Sequence, residues 1–367
     1  MTEQKKKVCI LVEQLGKGGA ERAAGILSGM LHDRDFTVYV ATITSLIEYP
    51  YSGKLIDLGV YKNDKNDIFD KFKRFRKFAH FLKTEQIDIV IDYRMRQSLI
   101  KEFLISKLLY RSVEVIYTVH SYKISYYFPL QRKLTNLLYK KAFSINTITS
   151  GIKERIASEF KLTNVSVIPN AFNLVQIEKL ATAHCDIKQP FILAAGRMDD
   201  DIKQFDKLIE IYATSELPQN GICLVILGKG ALQNSLKALA AKLNISEMVM
   251  FKGFLSNPFP YYKKAMFFVQ CSKFEGFPMV MLESLASGTP VIALDCKTGP
   301  AEIINHNING LLLPYNDFKA LRDAMNKLIN DPDLLDKLSK NAKSSVAKYS
   351  TEAIILQWEN LLKTAKK

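Results

Sequence analysis

Residues 266–294 read MFFVQCSKFEGFPMVMLESLASGTPVIAL. An apolar run (266–271) is followed by a polar loop, then by a helical pattern between Pro278 and Gly288, then by a second apolar run (290–294). Proline suits the first helical position, where its missing N–H is not needed, and glycine suits the left-handed residue that ends a helix. Two strands that are apolar at nearly every residue, joined by one helix, make a parallel βαβ unit covered on both faces.

The same alternation extends outward along the chain. Strands are expected at 8–12, 36–41, 87–92, 113–119, 144–149 and 165–169, and again at 191–196, 222–228, 248–253, 266–271 and 290–294. Helices are expected at 19–31, 69–84, 204–213, 231–242 and 317–329. The series breaks once, so the chain divides into an N-terminal α/β domain (1–172), a linker (173–189), a C-terminal α/β domain (190–347) and a final helix (348–367). In doubly wound sheets ligands bind at the carboxyl ends of the strands. Three such loops carry chemistry.

The first, Glu13-Gln-Leu-Gly-Lys-Gly-Gly-Ala-Glu-Arg22, brings Gly18 and Gly19 to a strand-to-helix turn, where free amides form an anion site. It is not G-x-G-x-x-G, and the second strand ends in Ala41-Thr42 without an acidic residue for an adenosine ribose, which disfavours a nicotinamide dehydrogenase. The second loop, Gly196 to Lys203, flanks itself with Arg197 and Lys203, a fork and a point charge able to clamp a diphosphate. The third is Glu275-Gly276-Phe277-Pro278-Met279, which leads into a helix carrying Glu283. Two carboxylates so spaced suit two hydroxylated groups of one ligand, with the helix amino terminus facing the phosphates between them.

Taken together, GGAER (18–22), TVHS (118–121), VIPNAFN (167–173), GR…K (196–203), LGKG (227–230), FKGF (251–254), EGFPMVMLE (275–283), SGTPVIA (287–293), GPAEII (299–304) and NGLLLP (309–314) resemble glycosyltransferase family 4 over essentially the whole chain. The resemblance implies the GT-B fold, two Rossmann-like doubly wound parallel-sheet domains facing across a cleft. It also implies retaining transfer from a nucleoside-diphosphate sugar, without metal or cofactor. Carried over by position, Arg197 and Lys203 hold the donor diphosphate and Glu283 the ribose. Glu275 and the backbone of Gly276, Phe277, Pro278 and Met279 hold the sugar. Gly18 and Gly19 border the phosphates and the acceptor, Gly196 belongs to the donor-binding set, and His120 lies beside the transferred sugar; His120, Arg197, Lys203 and Glu275 are the catalytic candidates. No enzymic nucleophile is evident, so a front-face displacement is expected. One departure is Gln204, where members often carry glycine.

Composition bounds the rest. The 367 residues are 48% hydrophobic and 24% charged, a core-forming profile. Five scattered cysteines without C-x-x-C spacing read as core residues of a reducing compartment. The net charge of +14 is concentrated in residues 1–180, with 29 Lys/Arg against 18 Asp/Glu, and so suggests an anionic partner there. The expected partners are the nucleotide sugar, a lipid-linked or polysaccharide glycan and an anionic membrane surface, with the protein cytoplasmic and peripheral on the inner membrane face. Segments 69–83 and 122–141, rich in aromatic and basic residues, are the candidate membrane contacts. A soluble acceptor is the rival within the same fold. A nucleic-acid-binding protein is the rival from another class, disfavoured because the cations form no binding module. Asp199, Asp200 and Asp201 mimic a metal site but read as solvated loop carboxylates.

Overall fold

The computed structural model describes residues 5–16, 18–63 and 67–365. It divides into two compact units, Met1–Phe172 with Thr351–Lys367, and Asn173–Ser350. The first contains seven strands: β1 (Lys6–Val12), β2 (Phe36–Thr42), β3 (Lys54–Asp57), β4 (Ile89–Asp92), β5 (Glu114–Val119), β6 (Ser144–Thr147) and β7 (Val165–Val167). The second contains six: β8 (Phe191–Ala195), β9 (Cys223–Leu227), β10 (Val249–Gly253), β11 (Phe268–Gln270), β12 (Val291–Leu294) and β13 (Gly310–Leu313).

All pairings are parallel. The sheet orders are β3-β2-β1-β4-β5-β6-β7 and β10-β9-β8-β11-β12-β13. Each sheet starts at its centre, winds to one edge and then crosses back, which leaves a switch point between β1 and β4 and another between β8 and β11. In register, Val8 faces Val38 on one side and Ile89 on the other, and Phe268 faces Leu193 and Val291. Val8 to Val12 and Phe191 to Ala195 are buried without exception. A fully buried aliphatic or aromatic side chain contributes about 1.5–3 kcal/mol relative to exposure, so these central strands hold each unit together.

Two strands escape the sequence pattern. β3 is a half-exposed edge strand of four residues, and β13 is four residues inside the NGLLLP motif. Residues 173–189, expected as a linker, instead open with the helix Leu174–Leu180 and belong to the second unit, anchored by buried Ile177, Ala181 and Ile187. The last helix, Thr351–Lys363, buries Ile354, Ile355, Trp358 and Leu362 in the core of the first unit, beside the helix Gly19–His32. Lys6 Nζ caps its end, donating to the carbonyls of Leu362 (3.0 Å) and Ala365 (2.8 Å).

The two basic-aromatic segments turn much of their aromatic surface inward. In the helix Ile68–Thr84, Phe78 and Leu82 are core while Phe69 and Phe72 are exposed. In 122–141, Ile124, Tyr127, Phe128, Leu138 and Tyr139 are buried and Tyr122 stacks on Arg155.

Glycines at the β9 exit permit the closest backbone approach in the second unit. Gly228 has φ of +119°, and a Cβ there would lie 1.9 Å from the Gly196 carbonyl oxygen. Gly228→Ala is therefore expected to cost about 2–4 kcal/mol. Gly19→Ala, at a helix start with nothing within 4 Å of its Cβ, should stay within roughly 0.5 kcal/mol of wild type. Denaturant unfolding compares them; equal stability would contradict the close approach.

Candidate active site

The loop after β8 is built on the strand beside it. Gly196 donates to the Leu227 carbonyl (3.0 Å), Met198 donates to that of Lys229 (3.1 Å), and Leu232 returns a bond to the Met198 carbonyl (2.8 Å). Met198 is buried, so the chain is anchored on both sides of Arg197, whose side chain is exposed. Asp200 Oδ1 then accepts from the Ile202 amide (3.1 Å) and starts the short turn Asp201–Lys203. Asp201 pairs with Lys273. The acidic triplet thus supplies a cap and an ion pair. Gln204 follows in the left-handed conformation (φ 49°, ψ 42°), the geometry that glycine takes most readily.

Lys203 lies with its stem over Gly196, where a Cβ would come within 3.1 Å of it. Its Nζ reaches Glu275 Oε1 at 2.6 Å. Glu275 arrives on the loop after β11 and is fixed from three directions. Gln270 Nε2, from the last residue of β11, donates to the same oxygen at 2.6 Å; Thr298 Oγ1 donates to the Glu275 carbonyl at 2.7 Å; and the Glu275 amide reaches the Lys297 carbonyl at 3.4 Å. Gln270 Oε1 is buried without a hydrogen-bond partner among the described residues. Gly299 packs against Pro278, where any Cβ would collide with the ring.

The helix Met279–Ala286 begins one residue after Pro278, which stands just outside it and not at its first position as the sequence suggested. It ends at Gly288, with φ of +89°. Glu283 is buried in it, and Phe277 is held edge-on to Tyr349 at 5.3 Å. The site therefore combines a rigid carboxylate, a lysine with donors to spare, an exposed arginine and a helix amino terminus. This is a set of groups for a polyanion that also carries hydroxyls.

In the first unit, Gly18 takes φ of +128° immediately before the helix Gly19–His32. His120 follows β5. Its ring stacks on Tyr93 (4.8 Å between centroids), and both ring nitrogens are sealed from solvent with no hydrogen-bond partner among the described residues. A cavity of about 10 Å³ lies against it, lined also by Asn146, Asn170 and Trp358. Burial, with help from the Arg96 charge, pushes its pKa down to about 3. Arg96 is itself buried in a cage of Tyr117, Tyr127, Phe128 and Tyr139, donating to the Arg94 carbonyl (2.9 Å) and the Thr118 carbonyl (3.1 Å).

Residues 17–176 match the family described as "Glycosyltransferase Family 4", and residues 178–345 the one described as "Glycosyl transferases group 1". The chain belongs to glycosyltransferase family 4. It is 35% identical over 217 residues to the N-acetylgalactosamine-N,N'-diacetylbacillosaminyl-diphospho-undecaprenol 4-alpha-N-acetylgalactosaminyltransferase of Campylobacter jejuni, an alignment that covers 59% of this chain and 58% of that enzyme, less than two thirds of its length. It is 28% identical to the amylovoran biosynthesis glycosyltransferase AmsD of Erwinia amylovora, over 97% of this chain and 99% of the relative. Among solved structures, a glycosyltransferase from Rickettsia africae (18% identical, TM-score 0.79) covers 99% of this chain and 100% of its own. HepE of Anabaena in complex with UDP (17%, TM-score 0.76) covers 98% and 100%. These neighbours share the GT-B fold of this family 4 glycosyltransferase.

Gln270, Thr298 and Arg96 were not singled out from sequence, because each acts by holding another residue. Gln270 and Thr298 carry no charge to attract attention, and Arg96 sits in a stretch with no recognisable motif.

Arg197→Ala and Glu283→Gln are each expected to weaken nucleotide binding by roughly 1.5–3 kcal/mol, tenfold or more. Asp201→Asn, which removes an exposed ion pair, should leave it unchanged. Calorimetry decides; equal affinity in all three variants would reject the assignment. For His120 the sign follows from its lowered pKa: the unfolded chain takes up a proton below about 6.5 while the folded chain does not, so the folded state loses stability as pH falls. The stability difference between wild type and His120→Asn should shift by up to about 2 kcal/mol between pH 7.5 and pH 5, against the wild type. Parallel pH profiles would contradict this.

Proposed function

We propose that this chain moves a hexose or N-acetylhexosamine, with retained anomeric configuration, from a nucleoside-diphosphate sugar to a glycan acceptor carried on lipid. Uridine diphosphate is favoured over guanosine diphosphate, and no metal is required. The observation that carries the reading is the Lys203–Glu275–Gln270 cluster beside the start of the helix Met279–Ala286. Lys203 and Arg197 would neutralise the diphosphate as it leaves, the role a divalent ion fills in other transferases. Glu275, already oriented, would hold the sugar hydroxyls, and Glu283 the ribose.

In the step proposed, the bond from the anomeric carbon to the diphosphate breaks and the acceptor oxygen bonds to that carbon on the same face. The acceptor proton passes to a diphosphate oxygen. A neutral His120 would add no charge beside the sugar. The lipid-linked acceptor is supported by the Campylobacter relative, named for a sugar acceptor carried on diphospho-undecaprenol, and the uridine nucleotide by the HepE complex. Among the described residues no helix is long and apolar enough to cross a membrane, so contact with a lipid-borne acceptor would be peripheral, at the cytoplasmic face.

The test is thermal stability against a panel of nucleoside diphosphates and their sugars, with and without EDTA. A shift with uridine nucleotides that survives EDTA is expected. No shift near millimolar ligand, or a shift abolished by EDTA, would overturn the donor site or its metal independence respectively.

A further inference from the structure

We infer that one face of the first unit, formed by residues 97–111 and the groove behind them, docks onto an anionic phospholipid surface; the inference deepens, and rests on, the peripheral membrane location proposed above. The helix Leu99–Leu104 continues into a wider π-helical turn, Ile105–Leu109. Glu102, Ile105 and Leu109 face the core, while Ile100 (76% exposed), Phe103, Leu104 and Leu108 (61%) face outward. At spacings of three and four residues these four form one continuous apolar stripe. Contiguous exposed apolar residues of this size mark an interaction surface, not ordinary surface scatter.

The charge along this stretch of chain points to the partner. Between residues 97 and 141 eight lysines and arginines are exposed: Lys101, Lys107, Arg111, Lys123, Arg132, Lys133, Lys140 and Lys141. The same stretch holds two carboxylates, and neither is on the exposed surface. Glu102 is buried against Arg94 (3.2 Å), and Glu114 is half-buried at the start of β5. Behind the stripe lies a groove of about 560 Å³ lined by Lys107, Arg111 and Lys141 together with Tyr110, Leu137 and Leu138.

An apolar stripe flanked by cations of one sign matches a lipid interface, where the side chains enter the acyl boundary and the cations meet phosphates. The groove adjoins the amino ends of β5 and β6, whereas His120 follows the carboxyl end of β5, so docking would leave His120 uncovered. Phe69 and Phe72, though exposed, belong to another helix and are not required.

The experiment is co-sedimentation of the full-length protein with vesicles of phosphatidylcholine alone and of equimolar phosphatidylcholine and phosphatidylglycerol. Wild type should pellet with the anionic vesicles only. Lys107→Glu/Arg111→Glu/Lys141→Glu should reduce binding by at least about tenfold at low salt. Ile100→Ser/Leu104→Ser/Leu108→Ser should still bind at low salt but be released by salt that wild type resists. Phe69→Ser/Phe72→Ser should bind like wild type. All replaced side chains are exposed, and unchanged melting confirms folding. Overturning results are wild type that ignores anionic vesicles, stripe and charge variants that bind like wild type, loss of binding in the Phe69/Phe72 variant alone, or a dimeric wild type that the stripe variant makes monomeric. Nucleotide affinity measured on the same samples should be unchanged in every variant. Absent affinity in wild type would instead fault the transferase reading.

Discussion

Lys203 and Glu275 are 72 positions apart and meet at 2.6 Å only because β8 and β11 are neighbours in the sheet. That adjacency is the constraint from which the rest of the site follows. A parallel sheet that winds outward from β8 and then crosses back must leave the loops of its first and fourth strands side by side, with no helix above them. One loop supplies the cations and the other the carboxylate and the helix amino terminus. The glycines of LGKG serve the same end: they let the β9 exit lie against the β8 loop, so that Arg197 and Lys203 leave a braced backbone.

The first unit handles charge differently. Arg94 is wholly buried and bonds to both oxygens of Asp92 (2.6 and 3.0 Å) and to Glu102, while Tyr110 also donates to Asp92 (3.0 Å). Burial pushes the Asp92 pKa up, but Arg94 and Arg96 outweigh it and hold the carboxyl below its ordinary range; at Glu102 burial wins and the pKa rises. Burying ions costs several kcal/mol each, which partners and hydrogen bonds must offset. Removing Arg94 alone would strand two carboxylates, so this cluster constrains the β4 exit firmly even if its net contribution to stability is small.

The sheet-forming runs were legible because parallel strands buried on both faces are apolar at successive positions, a pattern no surface element shares. β3 and β13 were not, since one is a half-exposed edge strand and the other lies inside NGLLLP, a segment read only as part of the family pattern. The charged site residues were legible as types at a spacing; their mutual arrangement was not. Nothing in the sequence says that Lys203 would touch Glu275, because contact depends on sheet order, and Gln270 and Thr298 acquire meaning only once Glu275 is seen between them. The departure at Gln204 resolves in the same way. The chain needs a left-handed residue there to start the next helix, and glutamine adopts that conformation at a modest energetic cost of about 1–2 kcal/mol.

Arg96 links the electrostatics of the first unit to His120. Around this guanidinium the faces of four aromatic rings and three carbonyls stand in place of water, and among the described residues its Nε has no hydrogen-bond partner. One of those carbonyls is that of Thr118, two residues before His120, so the same group that fixes the strand end also places a positive charge near the imidazole. Burial and that charge act in one direction, toward a neutral ring. A cationic histidine here would be desolvated, adjacent to another cation and without a hydrogen-bond acceptor. The fold therefore favours an uncharged imidazole at the end of β5, whereas the loop after β8 in the second unit carries Arg197 and Lys203, cations that suit a polyanion.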